Sequence, residues 1–103
     1  MRRIISISEV IEEVESKGCR YEVCAAAEAD YDETTSELMV RLDSFLRPSA
    51  LKTGTKQLSP EWLPRKETVK ESVAEEEASE VAKEIFHRWV KKVHQRNPLA
   101  ADR

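Results

Sequence analysis

The side chains best suited to acid–base or metal chemistry in this 103-residue sequence are its two histidines, His87 and His94. Within one helix their spacing separates them by about 10 Å, which is too far for both imidazoles to bind one metal ion. Glu84 lies one helical turn before His87, but two ligands are too few for a structural metal site. Both histidines fall on the charged side of a predicted helix. We therefore expect them to be exposed, and we expect no metal, no cofactor and no catalytic activity.

Positive charge near the C-terminal end is the strongest candidate for binding. The cations of this basic cluster are Arg88, Lys91, Lys92 and Arg96, with no acidic residue between them. A cluster of this kind can bind phosphate or an acidic protein surface. The same distribution also stabilises a helix, because acidic residues 75–77 would lie at its N-terminus and the cations at its C-terminus. We prefer the helix interpretation, and nucleic-acid binding through the basic cluster is the alternative.

A second group of cations precedes the last helix. It consists of Arg41, Arg47, Lys52, Lys56, Arg65 and Lys66. If the fold brought this group beside the basic cluster, the two would form one positive surface. The sequence leaves that question open.

Composition excludes several enzyme classes. The chain has a net charge of −3, with 36% charged and 40% hydrophobic residues, which suits one small globular domain. Gly18 and Gly54 are its only glycines, so it lacks the glycine-rich phosphate loops and the nucleophile elbow of several enzyme families. No segment has the apolar length of a signal peptide or a membrane span. The predicted location is the cytoplasm, without membrane contact.

Cys19 and Cys24 are the only cysteines. Their spacing places them on opposite faces of a strand and far apart around a helix, so they cannot easily pair with each other. They also lack the second ligand pair of a structural zinc site. We expect two reduced, partly buried thiols.

The N-terminal segment is predicted to form a helix over Ile7–Lys17. Ser6 and Glu9 make a capping box, and Ile7, Val10, Ile11 and Val14 recur at helical spacing. Gly18 would then end the helix in a left-handed conformation. A strand over residues 3–7 is the competing interpretation.

Residues 20–46 fit a β-hairpin slightly better than helices. Hydrophobic residues alternate with polar ones before and after the polar stretch at 30–37, which is typical of two strands and a turn. The helical alternative begins at a capping box of Thr34 and Glu37 and ends before Pro48. This alternative would make the protein all-α.

Two large apolar residues, Trp62 and Leu63, lie between Pro60 and Pro64 in a loop-like segment. A proline-restricted loop can present such side chains to a partner, and tryptophan is common at binding hot spots. More often a loop of this kind covers the end of a small core. After it, residues 67–73 can form a third strand or begin the last helix.

The clearest prediction is a long helix over 75–95. Val81, Ala82, Ile85, Phe86, Trp89, Val90 and Val93 share an apolar arc of about 180°, while charged residues occupy the other side. Trp89 is at the centre of that arc, so we expect it in the core. An arc this wide could pack across a sheet or against a second copy of the chain.

These observations predict an α+β fold with an N-terminal helix and a small antiparallel sheet packed against the 75–95 helix. The predicted domain covers residues 1–97, and residues 98–103 would be a frayed tail. We expect a non-catalytic interaction or regulatory domain that binds a protein partner or itself, in preference to nucleic acid. The predicted interface residues are Trp62, Leu63, Phe86 and Val90.

Overall fold

A computed structural model describes residues 1–16, 18–49 and 60–98, which form an antiparallel sheet and a C-terminal helix. The elements are β1 (Arg2–Ser16), β2 (Cys19–Asp32), β3 (Glu37–Pro48), β4 (Glu67–Ser72) and α1 (Glu75–Arg96). The four strands lie side by side in chain order. This confirms the α+β class and the C-terminal helix, whereas the all-α alternative is wrong.

The predicted N-terminal helix over 7–17 is absent, because this segment belongs to β1. Its β-branched side chains favour a strand, but two irregularities in the β1–β2 register, between Arg3 and Ile5 and between Val10 and Glu12, disturb the alternation. A β-bulge adds one residue to a strand without adding one to its partner. Core-directed residues around a bulge are therefore spaced by three instead of two, which resembles helical spacing.

The predicted hairpin over 20–46 is extended in the structure into part of a four-stranded sheet. β2 and β3 pair from Tyr21 opposite Pro48 to Asp32 opposite Glu37. At the turn, the Asp32 carboxylate accepts a hydrogen bond of 2.9 Å from the backbone N–H of Thr34. At the β1–β2 turn Gly18 has a φ of +77°, in the left-handed region that glycine adopts without strain.

The core lies between α1 and one face of the sheet. Alternate residues of β2 and β3 point toward the helix because successive side chains of a strand project to opposite faces. The buried core residues of β2, β3 and α1 are Val23, Ala25, Ala27, Ala29, Tyr31, Leu38, Val40, Leu42, Leu46, Ala78, Ala82, Ile85, Phe86, Trp89 and Val93. The apolar arc of α1 is thus covered by its own sheet.

Two hydrogen bonds join core aromatic residues to backbone carbonyls. The indole N–H of Trp89 donates to the carbonyl oxygen of Asp43 at 2.8 Å, and the Tyr31 hydroxyl donates to the carbonyl oxygen of Val73 at 2.8 Å. A buried polar group without a partner is costly, so these bonds allow both rings to be buried. They also fix α1 against β3 and the end of β4 against β2.

The remaining predictions concern the borders of the fold. The third strand predicted over 67–73 is β4, which pairs with β3 from Leu42 opposite Glu67 to Glu37 opposite Ser72. The predicted tail at 98–103 lies outside the described residues except for Pro98. Whether 1–97 is an independent domain stays a prediction.

Candidate functional site

The two histidines do not form a site together. His87 is exposed, and His94, also exposed, places its Nδ1 3.1 Å from Oε1 of Glu12 on β1. The same Glu12 oxygen accepts a 2.9 Å hydrogen bond from the side-chain amide of Asn97. Within residues 1–16, 18–49 and 60–98 no three His, Cys, Asp or Glu side chains are grouped as metal ligands. The contacts of Glu12 attach the C-terminal end of α1 to β1.

The basic cluster is only partly free. Lys92 forms an ion pair with Glu67 and lies 5.5 Å from the centroid of the Trp89 ring. Arg88, Lys91 and Arg96 are exposed, and none has an acidic partner within ion-pair distance among the described residues.

Two members of the second group of cations, Arg41 and Arg47, lie apart from the basic cluster. Arg41 and Arg47 lie on the outer face, the face of the sheet turned away from α1, where they pair with Asp30 and Glu22. Arg65 pairs with Asp43, and Lys52 and Lys56 lie outside the described residues. Arg41 and Arg47 therefore do not form a continuous positive surface with the exposed side of α1.

The residues predicted at an interface lie in or against the core. Phe86 is 2% exposed and Leu63 is 4% exposed, while Trp62 and Val90 are partly buried and pack against the core. Leu63 and Phe86 are thus inaccessible on the folded chain. A contact of Trp62 or Val90 with a partner stays a prediction.

A groove of about 340 Å³ lies where β4 begins. Its polar lining residues include Glu28, Arg41, Asp43, Lys66 and Thr68. Arg3 and Arg65 already bind the Glu28 and Asp43 carboxylates. These acids therefore do not resemble the separated acid and base of a hydrolytic site.

A network of charges crosses three strands on the outer face. Asp30 accepts hydrogen bonds of 2.7 Å from Arg3 on β1 and from Arg41 on β3, and Arg3 also binds Glu28. The Arg3 hydrogen bond, followed by the charges of Arg3 and Arg41, lowers the pKa of Asp30, although its burial acts in the opposite direction. This network connects β1, β2 and β3 independently of the core.

The Asp30 network predicts a pH-dependent contribution to stability. Because the pKa of Asp30 is lower in the folded chain, its contribution is present above the unfolded pKa of about 4 and is lost as pH falls through the folded value. Asp30→Asn should lower the free energy of unfolding at pH 7 by about 1–2 kcal/mol, since both arginines are largely exposed. Urea denaturation between pH 7 and pH 3 would measure this.

The difference between wild type and Asp30→Asn should shrink below about pH 4. Glu80→Gln is the control, because Glu80 is exposed on α1 and has no ion pair within the described ranges. A difference that stays constant down to pH 3 would contradict this role of Asp30.

The thiols differ in environment. Cys19 is exposed beside the β1–β2 turn, whereas Cys24 is buried on the outer face, opposite Val10 and Phe45 in the strand register. Burial raises the pKa of the Cys24 thiol, so it is a weak nucleophile.

The feature with the clearest capacity to bind is the β1 edge, the side of β1 turned away from β2. β1 is 15 residues long and borders the sheet, and no described strand pairs with its outer side. Such an edge carries backbone donors and acceptors that can pair with another strand. The opposite border, β4, has only six residues and carries Glu67, Lys70 and Glu71. An edge this short offers few backbone groups, which discourages pairing.

Aliphatic side chains accompany the β1 edge. Ile4, Ile5, Ile7 and Ile11 are only partly buried against the core, and Val10 is 45% exposed. On α1, Val90 lies one turn before His94, the residue that contacts Glu12, so helical periodicity puts Val90 on the flank beside β1. The helix predicted over 7–17 left no place for this edge. The sequence does contain a signal for two strands. An isoleucine-rich run at residues 4–11 is followed by Gly18 and then by a second run in which inward and outward residues alternate.

No described helix is long and apolar enough to cross a membrane. Comparisons with models of protein families, with curated proteins and with solved structures found no match.

Proposed function

We propose that this protein is a non-catalytic interaction domain that self-associates through the β1 edge. The observation that carries the proposal is a 15-residue border strand whose outer side pairs with no described strand and whose isoleucines are incompletely buried. Pairing with another strand would satisfy these backbone groups and cover those side chains.

The core supports this choice of surface. The apolar arc of α1 that suggested self-association in the sequence is occupied by the sheet, with Trp89 and Phe86 each 2% exposed. A second copy therefore needs another surface, and the β1 edge is the longest strand border in the described chain. The proposed compartment is the cytoplasm, which suits two free thiols, one of them exposed.

Size-exclusion chromatography with light scattering tests self-association. The wild type should have twice the mass of one chain at high concentration and should dissociate on dilution. Ser8→Lys introduces a charge at an exposed position in the middle of the edge. We expect it to raise the dissociation constant by about tenfold or more, which corresponds to about 1.4 kcal/mol.

Thr68→Lys is the matched control, because Thr68 is also exposed but belongs to the opposite border strand. It should keep the wild-type dissociation constant. A wild type that stays monomeric at every concentration, or a Ser8→Lys variant that dimerises as strongly as wild type, would refute the proposal.

Nucleic-acid binding is the second candidate, favoured by the exposed and unpaired cations Arg88, Lys91 and Arg96 within the described part of α1. Filter binding of mixed DNA and RNA at increasing salt would test it. If duplex DNA binds, Lys91→Ala should reduce the salt slope by about 0.9, whereas Lys83→Ala on the same helix should not. Absence of retention at low salt would reject this candidate.

A further inference from the structure

The β1 edge has a polarity that bears on its partner. Arg2 and Arg3 lie at the start of β1, whereas Glu9, Glu12, Glu13 and Glu15 lie in its second half. A parallel pair of β1 strands would place the acidic halves side by side. Arg2 and Arg3 already bind acidic side chains of their own chain. An antiparallel pair separates the two acidic halves and places each beside the arginine-bearing end of the other strand, so fewer like charges face each other, and like charges on facing strands destabilise a sheet.

We infer that the β1 edge pairs with β1 of a second copy in an antiparallel arrangement, with the Ser8 residues of the two chains opposite each other at a two-fold axis. This inference rests on the proposed function and specifies the partner and the register. The product would be a continuous eight-stranded sheet with both helices on one side.

Symmetry restricts the register. Residues directly opposite each other in an antiparallel pair project to the same face of the sheet. A two-fold axis relating two antiparallel strands is perpendicular to the sheet, so it keeps α1 of both copies on one side. The residue at the axis must then lie opposite its own counterpart.

Charge and overlap select the residue at the axis. An axis at Glu9 would give the longest overlap of Arg2–Ser16, but it would place two carboxylates directly opposite each other, which is destabilising. An axis at Ser8 keeps overlap from Arg2 to Val14 and puts two exposed hydroxyl side chains at the centre. An axis at Ile7 shortens the overlap further.

The Ser8 register also accommodates the irregularities of β1. In this register the irregularity at Ile4 of one copy faces the irregularity around residues 11–12 of the other copy. Each strand then has one extra residue at the same level, so the two insertions do not shift the pairing. Beyond this point, Arg3 lies opposite Glu13 of the second copy. Ile5 lies opposite Ile11 of the second copy, so partly buried isoleucines come together on the side that carries the helices.

Cysteine cross-linking tests this register. Ser8→Cys would be made in a Cys19→Ser background, which removes the exposed native thiol. The new thiols would lie opposite each other, within the Cα separation of about 4.4–6.8 Å that a disulfide needs. Oxidised glutathione should therefore give a covalent dimer on a non-reducing gel, and dithiothreitol should reverse it. Circular dichroism would verify the fold of each variant.

Ser6→Cys in the same background is the matched control, because Ser6 is also exposed and shares the outer face with Ser8. In the inferred register the two Ser6 positions are four residues apart along the strands, or about 13 Å, so cross-linking should be at least about tenfold weaker.

Preferential cross-linking of Ser6→Cys would overturn the register. A dimer detected by light scattering without cross-linking at Ser8→Cys would overturn the inferred pairing but leave self-association intact. A monomer under all conditions would overturn the inference together with the proposed function.

Discussion

Trp89→Asp is expected to leave the chain unfolded in water at neutral pH. Trp89 is 2% exposed, and its indole N–H donates to the Asp43 carbonyl at 2.8 Å. Loss of a large buried aromatic side chain costs about 3–5 kcal/mol, and burying an unpaired carboxylate adds to that cost. The total is comparable with the whole stability of a small domain, about 5–15 kcal/mol.

Far-UV circular dichroism and urea titration would measure this effect. His87→Asp is the control, because it adds the same charge to an exposed position of the same helix. It should change the free energy of unfolding by no more than about 0.5 kcal/mol. A cooperative urea transition of Trp89→Asp near the wild-type midpoint would show that position 89 is not essential to the core.

α1 could be predicted from the sequence because its pattern is long and uninterrupted. The predicted range of 75–95 differs by one residue from the observed Glu75–Arg96. Its apolar arc contains every buried residue of the helix from Ala82 onward, and its acidic first turn suits the helix dipole. Two independent signals, periodicity and charge, therefore gave the same result.

β1 could not be assigned by the same reasoning. Ile4, Ile7, Ile11 and Val14 all pack in or against the core, and they are spaced by three, four and three residues. In a regular strand these intervals would be even. The bulges make them resemble helical intervals, and bulges depend on pairing with a second strand, which local periodicity does not contain.

The candidate site could not be predicted from the sequence for the same reason. The β1 edge exists only because residues 2–16 form a border strand, and a helix over 7–17 would have no such edge. The Asp30 network likewise depends on register, because it joins side chains from three strands. The two groups of cations can be identified from the sequence. Their positions cannot, because Arg41 and the basic cluster lie on opposite faces of the fold.

Ala27→Leu is expected to destabilise the fold by about 1–3 kcal/mol, the usual cost of overpacking a core. Ala27 is 2% exposed and lies in β2 between Ile7 of β1 and Leu42 of β3. Ala25 and Ala29 are fully buried on the same face, and α1 contributes Ala78 and Ala82 to the same core. Small side chains in both layers allow close packing of the helix and sheet, so a larger residue must displace one of them. Urea denaturation monitored by tryptophan fluorescence would measure the change.

Ala26→Leu is the matched control, since the neighbouring residue projects to the outer face and is only partly buried. The same increase in volume there should change stability by no more than about 0.5 kcal/mol. Equal losses in the two variants would mean that leucine is unfavourable in β2 regardless of its direction. A loss confined to Ala27→Leu would locate the constraint in the space between β2 and α1.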